Sequence, residues 1–362
     1  MSVALNTIVD LLKHRERFII VSSPALGKTS MIEQACTLLG YDLVISTPGI
    51  EDKSDIAGFG VPDFERGITR MLPLEKINLL INATRPTVWF SDDLGNAELD
   101  TQAGYKGKIT RGGEICRNPN IIACAATNRP QDKTGVRALH ESLRSEFPTA
   151  YDMPTPTLNE STNEGTLLCT WRELRESWRE WAYDNNVAPI IIAWHDFTEG
   201  RTLYTWKPSS NPAVRFGDFR AWHAVARKWN AGMQSLAQVG STVGKPIASE
   251  FLQFAALQGQ IPTMATIRVS PQSAQIPDDK AAMFLVVNSI ARAAEKTDIA
   301  PVVTYMDRLA NLKNAQGVRS HRQFAALLAG DLLRGKLGME LSGSREWGRW
   351  YAANHDLFET GE

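Results

Sequence analysis

Residues 18–32 read Phe-Ile-Ile-Val-Ser-Ser-Pro-Ala-Leu-Gly-Lys-Thr-Ser-Met-Ile, an apolar strand that breaks at a tight turn and resumes as a helix. This is the layout of a phosphate-binding P-loop, and it dictates a strand–turn–helix unit at the heart of the fold. Ser23, Pro24, Ala25, Leu26, Gly27, Lys28, Thr29 and Ser30 supply the turn and the helix start. In such a turn the backbone N–H groups wrap the phosphates, Lys28 reaches the β and γ groups, and the Thr29 hydroxyl holds Mg²⁺. The strict pattern has glycine where this chain has Ser22.

Two later segments give that turn its context. Thr87-Val-Trp-Phe-Ser-Asp-Asp93 is a mostly apolar run ending in two carboxylates. Its β-branched and aromatic residues predict a buried parallel strand, whose carboxyl end is where open α/β sheets place ligands. There Asp92 is a candidate Mg²⁺ ligand and Asp93 a candidate to orient or deprotonate an attacking water. Asp93 is one methylene shorter than the glutamate usual in such sites, which predicts slow hydrolysis or a closer water. A third strand, Asn120 to Ala126, leads to Thr127-Asn128. The Asn128 amide at that strand tip is a candidate contact to the γ-phosphate or the water.

At 362 residues the chain is long enough for two or three domains. Its 43% hydrophobic and 22% charged residues are ordinary for a globular protein, and a net charge of −1 creates no global field toward nucleic acid or anionic lipid. Cys36, Cys116, Cys124 and Cys169 lack metal-ligand spacing and read as small core residues of a reducing compartment. The histidines form no zinc-like cluster. No run of about 18 apolar residues suggests a membrane span, and the N-terminus lacks a basic-then-apolar signal, so the expected location is cytoplasmic.

Residues 1–155 alternate apolar strands with helix-like stretches, predicting a parallel sheet covered by helices. Strands are expected at 18–22, 42–47, 86–91, 120–126 and 148–152, with helices at 3–14 and 28–39. Pro48 to Pro73, rich in Gly, Asp and Pro, reads as a loop or hairpin projecting from the sheet domain. Gly104 to Gly113, with Tyr105, Lys106, Lys108 and Arg111, reads as a glycine-rich basic hairpin. Residues 156–235 are expected to be mostly helical, with Trp171, Leu174, Trp178 and Trp181 on one aromatic face. Residues 236–362 are expected to form a further helical region.

With these pieces in order, the chain resembles the AAA+ ATPases, and within them the MoxR-like branch of bacterial and phage members. The resemblance covers about residues 10 to 310. It is carried by the P-loop at 22–29, the acidic strand at Val88–Asp93 and the Asn128 strand tip. Further support comes from the glycine-rich insert around 51–73, Phe219-Arg220-Ala-Trp222 and Val243-Gly-Lys-Pro-Ile-Ala-Ser-Glu-Phe251. It implies an α/β AAA+ nucleotide-binding domain followed by a helical lid, with Arg220 reaching over the nucleotide from that lid. Relatives place an arginine just before a phenylalanine, where it enters the neighbouring subunit's site. Here that position is Glu146, so Arg144 or Arg137 is the candidate arginine finger, with Arg144 preferred.

The resemblance thus implies ATP and Mg²⁺ as ligands, and a homo-oligomeric ring, expected to be a hexamer. The ring would act on a protein client beside a von Willebrand factor A-type partner. Two alternatives carry different expectations. A nucleic-acid motor would use Lys106, Lys108 and Arg111 along a channel. A nucleotide-binding scaffold that hardly hydrolyses would follow from Ala25, Asp93 and Glu146.

Overall fold

The computed structural model describes residues 3–132, 135–158, 164–313 and 317–358. The chain divides into two compact units: Met1–Trp181 with Tyr204–Arg220, and Ala182–Leu203 with Ala221–Glu362.

The first unit is built on a sheet of strands β1 (Phe18–Ser22), β2 (Asp42–Ser46), β5 (Thr87–Ser91), β6 (Ile121–Asn128) and β7 (Thr149–Asp152), ordered β2-β5-β6-β1-β7. Every pairing in it is parallel. All five expected strands are therefore present, within two residues at each end. Two more strands, β3 (Phe59–Asp63) and β4 (Ile68–Leu72), pair antiparallel as a separate hairpin.

Period-two alternation sorts the sheet's side chains onto two faces. Phe18, Ile20, Val88, Phe90, Ile122, Cys124 and Ala126 join one core with α1 (Val3–Lys13) and α2 (Lys28–Leu39). Ile19, Trp89, Ala123 and Ala125 face the other way, onto Tyr105 and Ile109 of α3 (Leu99–Ile109) and onto Leu143 and Phe147. Both faces are covered, as continuous apolar strands require. Cys36, Cys124 and Cys169 lie buried in the first core as free thiols, while Cys116 is half-buried.

Of the segment expected as a loop or hairpin, Lys53–Ala57 is a short helix whose Ile56 is buried in the core, while residues 59–72 form the hairpin. Gly58 makes its entry possible: with φ +87° it would drive a Cβ to 2.4 Å from the Leu72 carbonyl oxygen. Phe59, Val61, Phe64, Ile68, Met71 and Leu72 are all exposed on it.

The basic hairpin expected over Gly104–Gly113 is not formed. Residues up to Ile109 are the helix α3, and the chain turns only at Thr110–Gly113. Tertiary packing explains the difference. Tyr105 and Ile109, one helical turn apart, both bury against the sheet. The Tyr105 ring stacks on Trp89 with centroids 5.1 Å apart, and its hydroxyl bonds to Glu51. Glu51 is also held by Lys76 at 2.6 Å. Lys108 is buried and pairs with Glu114. Glycines at 104 and 107 cost helix propensity, but the buried face outweighs them.

The aromatic run forms α4 (Trp171–Asp184), with Leu174 and Trp178 buried. The second unit is helical. It contains α5 (Pro189–Phe197), most of α6 (Phe219–Asn230), and α7 (Lys280–Ala293), α8 (Ile299–Asn311) and α9 (Arg322–Arg334), the last three sharing one apolar core. Trp347 and Trp350 belong to that core. Among the described residues, no helix is long and apolar enough to cross a membrane.

Candidate functional site

Parallel register brings the three sequence segments to one edge of the sheet. Ser22, the last residue of β1, is level with Asn128, the last of β6. Ser91 at the end of β5 is level with Ala125, so β6 extends past it toward the two aspartates. All these ends are carboxyl ends of parallel strands, where the chain must turn away and leave a crevice.

The turn after β1 is built from unusual backbone. Ala25 adopts φ 58° and Gly27 φ 83°, both left-handed. For glycine this costs little, but for alanine it costs about 1–2 kcal/mol. Leu26 anchors the turn in the core at 1% exposure. Gly27 then caps α2 without any side-chain hydrogen bond to the helix's first N–H groups. A helix start left in this condition carries partial positive charge and free donors.

Lys28 is buried at 6% exposure, which is rare for a lysine without compensation. Its ammonium donates to Ser22 Oγ at 2.7 Å and to Asn128 Oδ1 at 2.8 Å. The serine that departs from the glycine pattern is thus put to use, since its hydroxyl receives the lysine and donates to the Ser23 carbonyl at 2.6 Å. Burial lowers the Lys28 pKa, opposed by the charges of Asp93, Asp92 and Asp132.

The acidic tip divides its work. Asp92 Oδ2 accepts from Thr29 Oγ1 at 2.6 Å. Asp93 Oδ1 accepts from Asn128 Nδ2 at 3.1 Å. Asp93 is itself left-handed, with φ 55°. Burial and the adjacent Asp92 charge push its pKa above the usual carboxylate range, while Lys28, Arg220 and the Asn128 hydrogen bond pull it back. Strained backbone and an upward-shifted carboxyl cluster where geometry is spent on chemistry.

The other expected site residues are placed as follows. Ser23 is buried, Pro24 is half-buried and Ser30 is exposed. Arg220, at the start of α6, is exposed and near enough for its charge to act on Asp93. Arg144 is on the surface, paired to Glu141 at 2.6 Å. Glu146 is held by Arg17 at 3.2 Å, and Arg137 pairs with Glu98.

Sequence reasoning missed three groups behind the turn. Asp132 Oδ1 accepts from Ser23 Oγ at 3.3 Å. Its other oxygen is buried without a hydrogen-bond partner among the described residues, and burial raises its pKa. Arg129, also buried, donates to the Met153 carbonyl at 2.7 Å and lies 4.0 Å from Asp152. Tyr204 donates to the Pro24 carbonyl at 2.8 Å. Tyr204 comes from a distant stretch with no motif of its own, so no sequence signal marked it.

The donor set fits Mg²⁺ held jointly with phosphates. A hydroxyl and a carboxylate, both hard oxygen ligands, already lie side by side in Thr29 and Asp92. No cluster of three or more His, Cys, Asp or Glu that could hold a metal occurs among the described residues. A magnesium shared with phosphates needs none.

No family model matches the sequence, and no curated protein matches it. Similar solved structures include the Thermotoga maritima RuvB Holliday junction branch migration motor, at 14% identity over 86% of this chain and 88% of that one, TM-score 0.38. NtrX from Brucella abortus in complex with ADP is 11% identical over 98% of this chain and 67% of that one, TM-score 0.37. Both similarities are distant, and the chemistry of the site rests on its own residues.

Proposed function

We propose that the chain is an ATP-hydrolysing AAA+ ATPase of the MoxR-like branch, assembled as a hexameric ring and acting on a protein client. One observation carries the ATPase reading. A buried lysine, an asparagine and an aspartate are hydrogen-bonded in series beside a threonine–aspartate pair, all at the mouth of a helix start without a side-chain cap.

Each residue has a role that follows from its partners. Lys28 exchanges Ser22 and Asn128 for phosphate oxygens, which relieves the penalty of burying an ammonium among weak acceptors. The N–H groups of the turn and of the first turn of α2 bind the remaining phosphate oxygens. Thr29 and Asp92 would hold Mg²⁺, which would supply positive charge to offset that of the phosphates. Asp93 orients the attacking water and accepts its proton, a role suited to a carboxyl pushed toward neutral pH. Asn128 fixes the rotamer of Asp93 and, once Lys28 has moved away, has its amide oxygen free for the water. Arg220 adds positive charge over the same site, and Arg144 is the candidate to act on a neighbouring subunit's nucleotide.

Ring assembly, the protein client and a von Willebrand factor A-type partner are inferred from the resemblance in sequence. The nucleic-acid alternative loses part of its support, because Lys108 is buried in α3 and no basic hairpin forms over 104–113, whereas Lys106 is half-buried and Arg111 exposed. The reading is tested by ATP turnover of purified protein beside Lys28→Ala and Asp93→Asn. Turnover that survives both substitutions would overturn it.

A further inference from the structure

A left-handed alanine needs something to hold it. Of the two residues flanking Ala25, Leu26 is fixed by its side chain in the core, and Pro24 is only half-buried. What holds Pro24 is its carbonyl, which accepts from the Tyr204 hydroxyl at 2.8 Å. That carbonyl shares a rigid peptide plane with the Ala25 N–H. Its direction therefore constrains the φ of Ala25 and sets the direction of the Ala25 N–H, which points the opposite way within the same plane. The residues just before are tied down as well. Arg129 N–H donates to the Ser22 carbonyl at 3.2 Å, and Ser23 Oγ donates to Asp132. The same stretch of chain meets the turn a second time, since a Cβ on Gly27 would lie 3.7 Å from the Phe219 ring.

We propose that Tyr204 is a positioning residue for the nucleotide: its hydroxyl, by holding the Pro24 carbonyl, keeps Ala25 left-handed and its N–H turned toward the phosphates. In P-loops with glycine at this position the conformation is free. In this chain it is imposed from outside, by a residue of the segment that leads to Arg220. Tyr204 is 5% exposed and packs in the core beside Trp171, so Tyr204→Phe removes the hydroxyl and leaves the packing.

This inference rests on the phosphate-binding reading, and the experiment separates the two. ADP affinity is measured for wild type, Tyr204→Phe, Ala25→Gly and the double variant, with Lys28→Ala as reference. Hydrogen exchange of residues 22–28 is followed in the nucleotide-free protein. Tyr204→Phe is expected to weaken ADP about fivefold to tenfold when Ala25 is present, and less than about twofold in the Ala25→Gly background. In the free protein it is expected to speed exchange of the turn about fivefold when Ala25 is present. Equal losses on both backgrounds, or unchanged exchange in Tyr204→Phe, would overturn the proposal. Unchanged ADP binding in Lys28→Ala would instead overturn the phosphate-binding reading, and the exchange result would still decide the role of Tyr204.

Discussion

The ammonium of Lys28 lies 2.8 Å from the amide oxygen of Asn128, a residue 100 positions further along the chain. The other end of the same amide donates to Asp93 at 3.1 Å. One side chain therefore links the group expected to bind phosphate to the group expected to handle water. Substrate arrival, by drawing Lys28 away, changes the hydrogen bonding of Asn128 and through it the setting of Asp93.

Lys28→Ala is expected to weaken ATP and ADP binding by at least about 30-fold, since hydrogen bonds to charged groups contribute about 1.5–3 kcal/mol each. Titration calorimetry checks this. The fold should survive, because the lost side chain sits at the sheet's edge, outside its apolar cores.

Asp93→Asn is expected to leave nucleotide binding intact and to cut hydrolysis about 10²- to 10⁴-fold. It should also raise the melting temperature of the nucleotide-free protein by about 1–3 °C. Two causes add: the half-buried carboxylate charge disappears, and asparagine tolerates the left-handed backbone of position 93 better than most residues. A lower melting temperature would contradict the assignment of strain at this residue.

The pH profile of kcat/KM follows from the directions of two shifts. Asp93 is raised, so its charged form opposes folding above its folded pKa, and that penalty fades as pH falls toward the ordinary aspartate value. Its ability to accept a proton is lost over the same range, so the acid limb is expected above the ordinary aspartate value. Lys28 is lowered, so the alkaline limb is expected below the ordinary lysine value. Rates measured across pH at substrate concentrations well below KM test both limbs.

Arg144→Ala is expected to change stability by less than about 0.5 kcal/mol, because its pair with Glu141 is exposed. If it serves a neighbouring subunit, ATP turnover falls about 10³-fold at concentrations where rings form. Glu146→Ala, by contrast, frees Arg17 from a half-buried pair and is expected to cost about 1 kcal/mol in urea unfolding. An unaltered turnover in Arg144→Ala would remove it from the site.

Single-stranded DNA is expected to leave ATP turnover within about twofold of its basal rate, since Lys108 is committed to Glu114 and Tyr105 to Trp89. Strong stimulation would favour a nucleic-acid motor.

Local pattern determined a great deal by itself. The runs at Phe18–Ser22, Thr87–Ser91 and Ile121–Asn128 are apolar enough that only burial on both faces satisfies them. Gly27-Lys28-Thr29 behind such a strand announces its own turn. What the chain around 104–113 would do was decided elsewhere. Its glycines and lysines match a hairpin, and a helix forms because Trp89 and Glu51 offer Tyr105 a stacked, hydrogen-bonded seat. Likewise the uses of Ser22, Asp132 and Tyr204 depend on hydrogen bonds between residues far apart in the chain, or on a lysine that folds back across the turn. Periodicity and turn chemistry act over a few residues and can be read along a line. The partner of a buried polar group is set by where other strands end in space, and that appears only once the sheet is assembled.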